Sequence, residues 1–230
     1  MSKMRSLNPL LVILTCAASL WAWINLPDMT SYPIHWNARG EADGFSSKGG
    51  VAFVLSLMPF TAASMHMLLS FLSRAEAVKK DIEKSGLVYD ITWHSCLWLF
   101  LGINILIAGA YLRMESGQPL SSDGTPLLKI LPFCMGLFFF VIGNVLGKAR
   151  QNKFVGVKTP WTLKSKSTWE ATHRLTAWLW VGAGVLLMIL PLMLAPPASV
   201  LAMVALIIGA SFYPMFYSYK FYQTAPDRPE

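Results

Sequence analysis

Apolar residues fall in six long blocks separated by polar connections, at residues 7–26, 51–72, 91–112, 127–147, 175–195 and 198–219. Each block is close to the ~20 residues that cross a hydrocarbon core as a helix. A helix satisfies its own backbone polar groups, which is what a chain in lipid requires. The one Asp, Glu, Lys or Arg inside any block is Lys129, near a block end. The pattern predicts an all-α polytopic transmembrane bundle of six helices. Pro59 and Pro191 interrupt two blocks and predict kinks rather than breaks. The first block exceeds the roughly 7–15 residues of a signal-peptide core. Thr15 also precedes Cys16 where lipoprotein processing needs a small residue, so an uncleaved helix is expected.

Charge then orients the bundle. Charged residues make up 13% of the chain, against about 25% in ordinary soluble domains. With the N-terminus inside, the inner segments hold Lys3, Arg5, Arg74, Lys79, Lys80, Lys84, Lys148, Arg150, Lys153, Lys158, Lys164, Lys166, Arg174, Lys220 and Arg228. The outer segments hold Arg39, Lys48, Arg113 and Lys129. Fifteen against four is a strong positive-inside bias. It predicts both termini in the cytoplasm and explains the net charge of +7 without nucleic acid as a direct partner. Trp21 and Trp23 near one end of the first block, and Trp93 with the tyrosines of 217–222 near inner ends, suit interfacial anchoring. Cys16, Cys96 and Cys134 lie in apolar blocks, so no disulfide framework is expected.

The connections differ in character. Pro196-Pro197 predicts a tight hairpin between the last two helices. Residues 113–126, rich in Ser, Gly and Pro, predict a flexible outer loop. Residues 73–90 contain a Glu/Lys-rich run that predicts a charged inner extension of the second helix. Gly143 and Gly147 fit a small-xxx-small helix contact, and their spacing excludes a phosphate loop. His66 and His94 sit in apolar blocks with no evident carboxylate partner and are expected to hydrogen-bond to neighbouring helices.

Two loops carry more pattern than a connector needs. The outer loop, 27–50, has turn chemistry at Asn37-Ala-Arg-Gly40 and Asp43-Gly44. Its aromatic residues Tyr32, Trp36 and Phe45 suit a membrane surface or a small pocket, and a compact lid over the helices is expected. Structural turn, recognition surface and metal site are all open for it, although the His35, Glu41 and Asp43 spacing matches no tight metal motif. In the inner loop, 148–173, Ser167 and Glu170 have capping-box spacing and predict the start of a helix that runs into the fifth block. Trp169 and His173 would then share one face, and Thr159-Pro-Trp161 reads as an extended or turn stretch.

The ordered set Gly143-Asn144, Asn152, Gly156, Lys158-Thr159-Pro160-Trp161-Thr162-Leu163, Trp169 and Thr172-His173-Arg174 resembles the SdpI family of bacterial membrane proteins. The outer Tyr32-Pro-Ile-His35-Trp36-Asn37-Ala-Arg39-Gly40 resembles the uncharacterised N-terminal domain that often precedes it. Two positions depart from the pattern: Lys158 stands where Arg is usual, and Thr176-Ala-Trp178 follows where a small Gly is usual. The resemblance implies a two-helix N-terminal unit at 1–72 and a four-helix unit at 73–230. It implies a multi-pass protein of the bacterial cell (inner) membrane. It also implies immunity to a secreted killing peptide and relay of that peptide's presence to a cytoplasmic regulator.

The residues themselves bound the function. No His-Glu-x-x-His, no Gly-x-Ser-x-Gly and no intramembrane Asp pair is present, so no enzyme, cofactor or catalytic metal is expected. Beyond His66, His94 and the peripheral Lys129, the spans lack the ionisable residues that coupled transport usually needs. A small-molecule or ion transporter or channel, or an envelope protein of another role, remains the alternative to an immunity or signalling receptor. For the receptor, the expected ligand contacts are Tyr32, His35, Trp36, Asn37, Arg39 and Asp43 outside. The expected partner or structural motif inside is the 144–174 set given above.

Overall fold

The computed structural model describes residues 3–37, 39–114 and 126–229. In chain order its elements are α1 (Lys3–Ile24), β1 (Tyr32–Trp36), β2 (Ala42–Ser46), α2 (Lys48–Leu72), α3 (Glu76–Lys84), α4 (Gly86–Leu112), α5 (Pro126–Leu146), α6 (Pro160–Lys164), α7 (Lys166–Met193) and α8 (Pro196–Tyr222). Six of these, α1, α2, α4, α5, α7 and α8, are long and apolar enough to cross a membrane. The chain is a multi-pass membrane protein. Its outward surface agrees: Phe53, Phe60, Leu192, Leu201 and Phe212 are all exposed, as lipid contact requires. Helices α2 and α7 run unbroken through Pro59 and Pro191. Most of the loop expected at 113–126 lies outside the described residues.

Three polar or small-residue devices join the spans. Between α1 and α4, the buried Asn104 amide donates to the Thr15 carbonyl at 2.9 Å and sits 3.0 Å from the Ser19 hydroxyl. The Asn8 side chain meets His94 at 2.8 Å. Between α5 and α7 there is no room for side chains at the crossing. A Cβ on Gly136 would stand 2.7 Å from the Gly184 carbonyl, and one on Gly143 would stand 2.8 Å from the Val181 nitrogen. Such close backbone approach is the use of small residues where lipid supplies no hydrophobic drive for association. Gly147 meets only ordinary contact with Ala177, so the expected pair of contacts is really Gly136 and Gly143.

Two elements differ from expectation. The Glu/Lys-rich run does not extend α2. The chain turns at residues 73–75, where Ala75 is extended, and α3 starts afresh at Glu76. Val78 and Ile82, four apart, pack on Leu11, Ala62, Tyr89 and Trp93, and that contact folds the short helix back against the bundle. The 27–50 loop, expected outside, is an antiparallel hairpin of β1 and β2 with irregular register between Pro33 and Trp36. It seats on a core of Ala22, Leu26, Val51, Leu55, Ala108 and Tyr111, as the expected lid does.

Candidate functional site

The connection between α5 and α7 is built almost wholly from side chain to backbone bonds. The Asn152 carboxamide oxygen accepts from the Phe154 and Val155 N–H groups at 2.7 and 2.8 Å, and its amide donates to the Arg150 carbonyl at 2.7 Å. Gly156 follows with φ of +122°, a conformation open to glycine. His173, with no exposed surface, lies directly behind it. A Cβ on Gly156 would stand 2.0 Å from His173 Nε2.

His173 is neutral by its bonding. Nδ1 is 2.8 Å from the Trp169 carbonyl, which can only accept, so Nδ1 carries the hydrogen. Nε2 then accepts the Val157 N–H at 3.0 Å. The imidazole stacks on Trp169 at 4.0 Å between centroids, and the indole N–H donates to the Ala149 carbonyl at 2.7 Å. One turn of α7 thus holds both ends of the loop, through Ala149 and through Val157.

Thr159 and Thr162 cap the short helix α6 reciprocally, with Pro160 in its first turn. The stretch read as extended or turn at Thr159-Pro-Trp161 is extended at Thr159, and Pro160 and Trp161 begin the short helix α6. The Thr159 hydroxyl lies 3.0 Å from Ser218, and Trp161 packs edge-on to Tyr219 at 5.0 Å, so α6 is fastened to α8.

The capping box expected at Ser167 and Glu170 does not form. The N-cap of α7 is Ser165, whose hydroxyl accepts from the Thr168 N–H at 3.0 Å. Its second partner comes from the far end of the chain. Asp227 accepts from the Ser165 hydroxyl at 2.6 Å, from the Ser167 N–H at 3.0 Å and from the Ser167 hydroxyl. These bonds, the Ser165 hydroxyl first, hold the Asp227 carboxyl far below the usual carboxylate range. A carboxylate lowered on folding contributes stability above its unfolded value and loses it only as pH falls through the folded value. The tail contact therefore persists well into acid.

These bonds sort the motif residues. Asn152, Thr159, Thr162, Trp169, Thr172 and His173 are buried. Lys158, Pro160 and Arg174 are exposed, as are Lys153 and Lys164. Lys158 makes one long contact, 3.4 Å to the Lys153 carbonyl. Asn144 stands apart from the cluster and bonds back to the Phe140 carbonyl on its own helix.

The hairpin sorts likewise. Tyr32 is buried, not surface-facing; its hydroxyl donates to the Pro27 carbonyl at 2.6 Å and accepts the Met29 N–H. Trp36 packs toward Tyr111 at 6.3 Å. Asn37 is spent inside the turn, accepting from the Arg39 and Glu41 N–H groups and donating to the Glu41 carboxylate. His35 and Asp43 face out together, 2.5 Å apart, with Arg39 and Phe45 also exposed. Among the described residues no group of three His, Cys, Asp or Glu is placed to hold a metal, and Glu41 turns to Asn37 rather than to His35 and Asp43.

One pair escaped the sequence reading. Arg5 Nε and Asp90 are 2.5 Å apart, with the Asp90 side chain 7% exposed. The guanidinium also lies over the Tyr89 ring. The available signal was positional: Arg5 and Asp90 each precede an apolar block that begins on the same side of the bundle.

The comparisons with known proteins follow this geometry closely. The model of the SdpI/YfhL protein family matches residues 148–218, which hold the Asn152–His173 cluster and its Ser218 contact. A domain of unknown function (DUF1648) matches residues 10–59, which hold the hairpin and the adjoining parts of α1 and α2. Immunity protein SdpI of Bacillus subtilis (strain 168) is 23% identical over 221 residues, covering 96% of this chain and 97% of that protein. No solved structure matches. Within the SdpI match, Asn152, Gly156, Thr159, Thr162, Trp169 and His173 are all engaged in holding the loop, while Asn144 lies just outside it.

Proposed function

We propose that this protein is a membrane immunity protein that protects its cell from a secreted antimicrobial peptide. The observation that carries this reading is the similarity to Immunity protein SdpI along 96% of the chain. In this reading the chain lies in the bacterial cell membrane with both termini in the cytoplasm, and residues 1–72 and 73–230 form its two units. The hairpin meets the toxin outside through the exposed His35, Arg39, Asp43 and Phe45. The tied loop between α5 and α7 presents Lys153, Lys158, Lys164 and Arg174 to a cytoplasmic regulator, with the buried cluster fixing their spacing. Coupling of the two faces requires two arrangements of the helices that bind the toxin differently.

The test is protection of a sensitive bacterial host. The chain is expressed, its insertion in the membrane is verified, and cells are challenged with SDP-type killing peptides. Survival is expected, and it should fall when His35→Ala, Arg39→Ala and Asp43→Ala are combined at unchanged protein level. Killing at verified expression of the unsubstituted chain would overturn the proposal.

A further inference from the structure

A cavity of about 490 Å³ opens at the basic end of the bundle, walled by α1, α2, α3 and α4. It lies apart from the tied loop and from the hairpin. Arg74 and Lys79 line it, both exposed, and neither has an ion-pair partner among the described residues. Arg5 lines it too, its guanidinium already facing Asp90. Glu83 is the carboxylate in the wall.

The floor supplies a second, independent observation. Trp93 is 4% exposed, lines the cavity, and its indole N–H has no acceptor among the described residues. His66 lines the same cavity, its ring tilted against Trp93 at 5.3 Å between centroids, and its Nδ1 is buried without a partner among the described residues. Buried polar groups are ordinarily satisfied, so the unpaired Trp93 N–H and the unpaired His66 nitrogen at the floor of a cationic cavity point to a polar group that enters from outside.

We propose that this cavity binds a phosphate-type anion, presented either as an anionic phospholipid headgroup or as free phosphate. Arg74 and Lys79 supply charge at the mouth, and the Trp93 indole N–H is the unpaired donor of the floor. Basic pockets between spans suit such headgroups. Acyl chains have apolar surface beside the cavity on α2, where Met67 and Phe71, both exposed, flank the wall residue Ser70. Glu83 disfavours a bare polyanion and accepts a hydroxyl, such as those of a glycerol headgroup.

The experiment uses the purified full chain in detergent. Native mass spectrometry measures binding of phosphatidylglycerol, with phosphatidylcholine as reference, and thermal shift measures the response to inorganic phosphate. Phosphatidylglycerol should bind in preference to phosphatidylcholine. Combined Arg74→Gln and Lys79→Gln should weaken it at least tenfold, and Trp93→Phe, which keeps the ring and removes the donor, several-fold. Combined Lys148→Gln and Lys220→Gln removes equal charge at the same end and should leave binding intact. If inorganic phosphate alone stabilises the unsubstituted chain but not the Arg74/Lys79 variant, the site stands with free anion as its source. The proposal is overturned if either cavity variant responds to both probes like the unsubstituted chain. It is equally overturned if the Lys148/Lys220 variant loses as much as the Arg74/Lys79 variant. None of these outcomes depends on protection from a toxin.

Discussion

At the scale of single residues, the tied loop depends on Gly156 and His173 occupying adjoining space. Gly156 has both a left-handed φ and no room for a methyl group, since a Cβ would meet Nε2 at 2.0 Å. A strained backbone of this kind costs on the order of 1–3 kcal/mol before any clash. Gly156→Ala should therefore lower yield and thermal midpoint in detergent, read by size-exclusion profile and melting. His173→Ala removes the clash but leaves the Val157 N–H without its acceptor, at roughly 1–3 kcal/mol for a buried orphan, while the Trp169 carbonyl keeps its bond within α7. Combined with Gly156→Ala it should restore part of the lost midpoint, because the ring that the new Cβ would strike is gone. If the double variant is no more stable than Gly156→Ala alone, steric conflict is not what fixes glycine there.

Among the elements, the six spans were legible because their pattern is compositional. A block of apolar residues near the length of a bilayer core predicts a helix whatever its neighbours are. What the blocks could not give was where the helices truly start. Helices α4 and α7 begin at Gly86 and Lys166, well before the apolar residues at Ile91 and Leu175. The turns ahead of those blocks hold Asp90 and His173, whose polar groups are met there by Arg5 and Val157, distant in sequence. The hairpin was missed for a similar reason: β1 and β2 are five residues each with irregular register, and their alternation is broken by the bulge. The cap of α7 was misplaced because Ser165 is completed by Asp227, which no local window contains.

The Arg5–Asp90 pair tests this account of α1 and α4. Removing one partner of a buried ion pair typically costs about 3–5 kcal/mol, and the penalty falls where a member still reaches solvent. The Arg5 side chain is 20% exposed, so Asp90→Asn should sit at or below the low end of that range. It would appear as a lower thermal midpoint in detergent. Replacing both groups with apolar ones, Arg5→Met with Asp90→Leu, should recover most of the loss, because no charge is then left buried. A double variant as unstable as the single would mean that the pair does more than offset its own desolvation.

For the whole molecule, one asymmetry organises everything else. The bonds Arg5–Asp90, Ser85–Arg150, Thr159–Ser218 and Ser165–Asp227 all lie at one end of the bundle, together with most of the lysines and arginines. The hairpin lies at the other. Which end faces the cytoplasm decides whether a secreted peptide can reach His35 and Asp43 at all. The positive-inside bias predicts that the basic end is cytoplasmic. The three native cysteines are free, so a background without Cys16, Cys96 and Cys134 allows single thiols to be placed at will. In intact cells a membrane-impermeant maleimide should label Arg39→Cys, and should label Lys158→Cys or Arg228→Cys only after permeabilisation. The reverse pattern would put the hairpin in the cytoplasm. It would remove the proposed toxin contact, yet leave the helical packing and the anion cavity as they stand, since neither depends on which compartment each end faces.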